Sequence, residues 1–442
     1  MKSGHFESQT LPARYLWDSQ ITTKLTAATA LLMVTAILGP LLTIVTISGI
    51  SVSVFRLYAP IYGLLLARYL YTHNRVQPLI MTIPIPVWLL IGLGGYATLS
   101  LVFVSGLSRA LFELITLLTA LFVGTMLCLT ADSQAAVKRY LVVIFALVAS
   151  AQLIAFWEIF TDSHLHTSRL FVKEVLPRHA RLGSDAASAW FNNQNNLSYF
   201  LAFAVGPLTA YGIVPDRNYP TIARAGCIGL VFLSVVVAWA NRSRLALVSM
   251  LLTVCLVVCL VVLRRTIDRV EWSQRLKRNV VVGSVFAGFA IILLLVVLPN
   301  PFSESTLSLW KRWQLARAGA SLFVDSYGVG VGVGNTQAAV ASGEIATRQT
   351  GELHNWLLYF ASAFGIVGVV TFLTTLAITC YELGIRALNS GSALFIGMFA
   401  MLLVFPLNAL APSNAVLTHS FWVFLFLAIA VSRLPSAEGD WE

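Results

Sequence analysis

Apolar runs of about 20 residues, the length a helix needs to cross the hydrocarbon core of a bilayer, recur along the whole 442-residue chain. A backbone in lipid must satisfy its own hydrogen bonds, and long uninterrupted apolar runs do so as helices. Composition excludes the alternatives: 58% of residues are hydrophobic and 11% charged, against roughly 25% charged in soluble domains. So few charges cannot cover a water-soluble surface of this size, and disorder is excluded for the same reason. The sequence predicts an all-α polytopic membrane protein.

The runs predict about 12 transmembrane helices, near 25–47, 50–69, 79–104, 109–130, 140–160, 197–215, 222–240, 245–263, 280–298, 355–379, 392–410 and 416–432. The first run is too long for a signal-peptide core and reads as a retained helix. Two polar segments are long, 161–196 and 299–354. The chain thus divides into a membrane domain of nine spans (1–298, with an outer segment at 161–196), a long outer loop (299–354), and three last spans with a tail (355–442). Cys128, Cys227, Cys255, Cys259 and Cys380 lie in or at the ends of apolar runs, so no disulfide framework is indicated.

An even number of spans puts both termini on one side. The basic 264–278 loop (Arg264, Arg265, Arg269, Arg275, Lys277 and Arg278) makes that side cytoplasmic. The net charge of +10 then reflects loop charges that set topology and attract anionic membrane lipids, not nucleic acid. The outer side is nevertheless more basic than this rule expects, with its charge concentrated in 169–181, 242–244 and 311–348. An anionic ligand bound at the outer face accounts for that excess.

The outer segments hold matching chemistry. Asn241-Arg242-Ser243-Arg244 confines two guanidiniums to the membrane boundary, where their planar forks match phosphate oxygens. Snorkelling to lipid phosphates is the plain alternative. Asn192 to Asn196 form an amide cluster suited to sugar hydroxyls, although Asn196 reads better as a helix cap. Leu307–Phe323 reads as an amphipathic interfacial helix, with Leu309, Trp310, Trp313, Ala316 and Leu322 apolar and Lys311, Arg312, Gln314 and Arg317 polar.

Gly328, Gly330, Gly332 and Gly334 alternate with valines; this is no phosphate-cradling P-loop but a run permitting tight backbone packing beside a site. His354-Asn355 stands at the outer mouth of span ten, where a histidine can act as a general base near neutral pH. No Asp-x-Asp pair occurs in the outer segments, which points to arginine rather than a divalent cation as the phosphate's partner. No metal or other cofactor is expected. His164, His166 and His179 read as solvated. Glu113 and Glu158 lie inside expected spans, as functional groups or as structural pairs.

Taken in order, Asn192–Asn196, Ser243-Arg244, Arg312-Trp313, the Gly328–Gly334 run and His354-Asn355 resemble the O-antigen ligase family, over roughly 190–380. That family belongs to a superfamily with O-antigen polymerases and protein O-oligosaccharyltransferases. A proline common in its Asn-rich segment is absent here. The resemblance implies a GT-C-like fold and an inner-membrane enzyme whose active site faces the periplasm. Its donor would be an undecaprenyl-diphosphate-linked glycan and its acceptor a lipid A-core sugar. It implies His354 at the acceptor hydroxyl and Arg244 and Arg312 on the diphosphate, with Arg242 and Arg317 beside them. Asn192, Asn193 and Asn355 would contact glycan or acceptor. A polymerase extending the lipid-linked glycan fits the same motifs. A transporter would instead place charges along a midplane pathway.

Overall fold

The computed structural model describes residues 19–434 except 40, 48–49, 166–185, 192, 216–219, 271, 298–305, 343–352, 354 and 411–416. The protein is helical and membrane-embedded. Among the described residues, six helices are long and apolar enough to cross a membrane: Ile85–Phe103, Leu107–Thr130, Gln134–Thr161, Thr221–Ala240, Arg244–Ile267 and Trp356–Ser390. Shorter apolar helices lie at Ile21–Ile37, Ala393–Asn408 and His419–Ser432.

The first two expected spans differ from the reading. Helix α1 (Ser19–Ile37) is followed by an antiparallel hairpin, β1 (Thr43–Ile47) and β2 (Ile50–Ser53), before α2 (Val54–Thr72). The fold is all-α with this one small hairpin added. Gly39-Pro40 stops the first helix, since proline offers no N–H. The β-branched stretches on either side of Ser48-Gly49 then pair as strands. Span three is likewise interrupted, into α3 (Val76–Thr82) and α4 (Ile85–Leu99), with Pro84 as the N-cap of the second. A 3-10 turn at Ser100–Phe103 leads to α5 (Leu107–Thr130) and α6 (Gln134–Thr161).

Further along the chain come α7 (Gln194–Ile213), α8 (Thr221–Ala240), α9 (Arg244–Val270) and α10 (Gln274–Val297). The 299–354 loop contributes α11 (Thr306–Asp325) and α12 (Thr336–Ser342), and α13 (Trp356–Ser390), α14 (Ala393–Asn408) and α15 (His419–Ser432) follow.

At the centre stand α7, α14 and α15, buried almost all round. Helix association in lipid gains little from hydrophobicity and depends on close packing. Here α7 and α14 cross at Gly206 and Gly397, where a Cβ on Gly206 would stand 2.6 Å from the Gly397 carbonyl oxygen. Phe203 packs on Phe405 at 4.7 Å and on Phe424 at 5.2 Å, tying α15 to the crossing.

The glycine run does what its spacing predicts. Gly328, Gly330, Gly332 and Gly334 all have positive φ (76°, 89°, 90° and 71°). A Cβ on Gly330 would lie 2.5 Å from the Gly365 nitrogen, and one on Gly334 2.5 Å from the Ala110 Cα. The loop seats in a break of α13 at Gly365 (φ 62°). Breaking a helix in lipid strands backbone groups that need new partners. The loop supplies them: Val331 and Gly332 N–H donate to the Ser362 and Ala363 carbonyls (2.7 and 3.0 Å), and Ile366 N–H donates to the Gly328 carbonyl (2.8 Å).

Candidate functional site

The turn between α8 and α9 is compact because it closes α8 with two reversed hydrogen bonds. Ser243 N–H donates to the Ala238 carbonyl (3.0 Å) and Arg242 N–H to the Trp239 carbonyl (2.9 Å). This is the Schellman arrangement, whose left-handed position usually holds glycine. Here Arg242 occupies it, with φ 53°, and its side chain is exposed. Arg244 opens α9 and is also exposed.

Asn241 joins this basic turn to the Asn-rich segment. Its Oδ1 accepts from Ala187 N–H (2.7 Å), and its Nδ2 donates to the Gln194 carbonyl (3.4 Å) and Ser198 Oγ (3.2 Å). Asn193, not Asn196, caps α7: its Oδ1 accepts from Asn196 N–H at 2.9 Å. An amide in extended conformation one residue before the helix is the better cap, and Asn196 already lies in the first turn.

Behind the same segment, the buried Glu158 carboxylate accepts from Ser188 (2.7 Å), Ala189 (2.8 Å) and Leu165 (3.2 Å) N–H groups. His164 is not a free solvated histidine: its Nε2 lies 2.9 Å from the Ala186 carbonyl oxygen. His166 and His179 lie outside the described residues.

The long loop packs against the start of α13. In its described half, α11 buries Leu315 and Ala318 against the bundle while Arg317 is exposed. The helix seats on its neighbours through Leu315, Ala318 and Gly319, with Leu322 of the expected apolar side packed against the same core, while the side chains of Leu309, Trp310 and Trp313 lie outside the described residues. Gly319 leaves room for Leu353 (3.2 Å from its ideal Cβ) and for Leu358 of α13 (3.4 Å). Leu353 and Asn355, the neighbours of His354, are thus held close to the helix that carries Arg317. Asn355 caps α13, accepting from Leu357 and Leu358 N–H at 3.0 and 3.2 Å. Trp356 anchors that end by donating to the Pro406 carbonyl (2.8 Å). One turn on, Tyr359 hydroxyl donates to Glu113 (2.6 Å), whose other oxygen accepts from Arg109 Nε (3.0 Å). Glu113 is thus structurally paired.

His354 and Asn192 lie outside the described residues, as does the side chain of Arg312, whose backbone falls in α11. Among the described site residues, Asn193 is brought beside the Arg242–Arg244 turn, and Asn355 caps the start of α13, against which α11, carrying Arg317 near its middle, packs at Gly319. Asn241 and Glu158 organise the first group. Sequence reasoning gave Asn241 no role, although an asparagine directly before two arginines in so tight a turn was a signal.

No family model matches the sequence. A stretch of 124 residues is 30% identical to TuaE, a teichuronic acid biosynthesis protein of Bacillus subtilis (strain 168), covering 27% of this chain and 25% of the relative. The matched stretch thus spans about a quarter of that protein's length.

Proposed function

We propose that this chain is a membrane glycosyltransferase of cell-surface polysaccharide biosynthesis, an O-antigen ligase. It transfers glycan from undecaprenyl diphosphate to a lipid A-core sugar at the periplasmic face of the inner membrane, with both termini cytoplasmic. The observation that carries the reading is the Asn241 bridge, which sets exposed guanidiniums beside an amide-rich helix start at one end of the bundle. Phosphate recognition and sugar recognition then fall on adjoining elements. The likeness to a teichuronic acid biosynthesis protein supports the polysaccharide role.

In this reading His354 takes the proton from the acceptor hydroxyl, whose oxygen attacks the anomeric carbon of the donor sugar. The new glycosidic bond forms as the bond from that carbon to the phosphate oxygen breaks. Undecaprenyl diphosphate leaves with the electron pair. Arg244 and Arg312, with Arg242 and Arg317 beside them, stabilise its charge. A single displacement inverts the anomeric centre. Asn192, Asn193 and Asn355 orient the sugars.

The second reading is a polymerase using the same donor, favoured by a relative whose name refers to making a polysaccharide. Purified protein mixed with undecaprenyl-diphosphate-linked glycan and lipid A-core, without metal or nucleotide, separates the two. Glycan on lipid A-core establishes the ligase, and a longer glycan still on undecaprenyl diphosphate the polymerase. Neither product, with donor binding retained, refutes both and leaves a transporter.

A further inference from the structure

We propose that Glu158 and Asn241 are positioning residues that lock the outer 186–191 segment to the α8–α9 turn, so that a lipid diphosphate and the first sugar attached to it are held in one site. This rests on the donor proposed above and names what keeps its sugar subsite in register with its phosphate subsite.

Glu158 is fully buried in the last turn of α6. A helix C-terminus already carries partial negative charge, so a carboxylate is disfavoured there. No lysine or arginine among the described residues pairs with it. Its hydrogen-bond partners are backbone N–H groups, of Leu165 nearby and of Ser188 and Ala189 some thirty residues on, and His164 interacts with it electrostatically. A buried carboxylate is a poor source of stability compared with a well-packed apolar residue. What this one achieves is the fixed path of a distant segment.

Asn241 grips the same segment from the opposite side through Ala187, and reaches α7 through Gln194 and Ser198. Two non-glycine residues in left-handed conformation stand next to this bond: Ala189 (φ 46°), two residues from its donor, and Arg242 (φ 53°), one residue from its acceptor. Such conformations persist where surrounding contacts impose them, and they concentrate at functional sites. Trp190 and Phe191 are buried beneath the segment and keep it from lifting.

The chemistry on either side of the lock differs. Across from the segment, Arg242 and Arg244 present charged forks suited to phosphate. Just beyond it in the chain, Asn193 spends its Oδ1 on the α7 cap. Its Nδ2 has no hydrogen bond among the described residues and suits a sugar hydroxyl. The turn can form without the segment, since it closes on its own backbone bonds. Glu158 and Asn241 set their relative placement.

The test uses the full-length protein in lipid nanodiscs, titrated with undecaprenyl diphosphate and, separately, with undecaprenyl diphosphate bearing a short glycan. Wild type is expected to bind the glycan-bearing lipid roughly tenfold more tightly than the bare one, the scale of one or two good hydrogen bonds. In Asn241→Ala and Glu158→Gln that ratio falls to about one, while affinity for the bare lipid stays within about threefold. Asn241→Ser carries the same expectation should Asn241→Ala fail to fold. Gln152→Ala provides the control, because it removes two buried bonds between α6 and α8, to the Leu230 carbonyl and Ser234 Oγ, which lie on the anchors' own helices but reach neither the 186–191 segment nor the α8–α9 turn. It should lower thermal stability and keep the wild-type ratio. A wild-type ratio in the folded Glu158 and Asn241 variants overturns the inference alone. A wild type that binds neither lipid overturns the donor reading, and the inference with it.

Discussion

Tyr359 and Glu113, 246 positions apart in sequence, are joined by a 2.6 Å hydrogen bond in which the phenol donates to the carboxylate. Both are buried. The bond ties the first turns of α13, which follow His354 and Asn355, to α5. Arg109 completes the chain from the more exposed side of α5. Tyr359→Phe removes the donor and leaves a buried carboxylate oxygen without that partner, a loss of about 1–3 kcal/mol. Thermal unfolding in detergent should show it, and Glu113→Gln, which keeps the packing, should cost less than Glu113→Ala. Equal melting of Tyr359→Phe and wild type would show that the bond does not hold the helix start in place.

The Gly365 break offers a sharper contrast between positions of one residue type. A Cβ at Gly365 would collide with the Gly328 carbonyl oxygen and the Val329 backbone, and φ is 62°. Gly95, in α4, faces open space. Gly365→Ala should therefore destabilise by at least about 1–2 kcal/mol, or yield no folded protein. Gly95→Ala should be neutral or gain up to about 1 kcal/mol through helix propensity. Size-exclusion profiles and melting curves of the pair decide it, and matching behaviour would refute the loop-in-break account.

What the sequence made legible follows from the range of the forces involved. Membrane helices are set by local apolar composition, so α5, α6, α8 and α9 lie where the runs predict. The alternate glycines announce a backbone that needs positive φ. The β1–β2 hairpin was missed because its residues are apolar as well as β-branched, and hydropathy does not separate the two. Asn193 and Asn196 were confused because either amide can cap, and only the path entering α7 decides. Glu158 could be flagged as unusual, but its Ser188 and Ala189 partners come from a segment whose approach is set by tertiary packing. Asn241 was legible as part of a turn, and its grip on Ala187 was not.

The proposed chemistry needs a base and no metal. Transfer should continue undiminished in excess chelator, because arginines neutralise the departing diphosphate. His354→Ala should lower transfer by at least about 100-fold, the usual reach of general-base assistance, with an unchanged melting curve. Timed product formation with and without chelator checks both. Loss of activity on chelation would sink the arginine-only account, and full activity of His354→Ala would remove the base.

Arg242 allows stability and function to be set against each other at one residue. It holds the left-handed position of the turn that closes α8, where glycine is favoured and a side chain costs about 1–2 kcal/mol. Its side chain is exposed, and no described packing offsets that cost. If the residue is there for fold alone, glycine is the better choice. Arg242→Gly is therefore expected to raise the melting temperature by a few degrees. It should also weaken binding of undecaprenyl diphosphate by roughly tenfold, the loss of one charge-assisted contact to phosphate. Arg242→Lys keeps charge without the planar fork and should fall between the two in binding while gaining no stability. The pair of measurements is diagnostic because a merely structural arginine would lose stability on replacement. A drop in melting temperature with unchanged lipid affinity would therefore remove Arg242 from the phosphate site, whereas the opposite pair of shifts would mark it as a ligand residue kept at the expense of the turn.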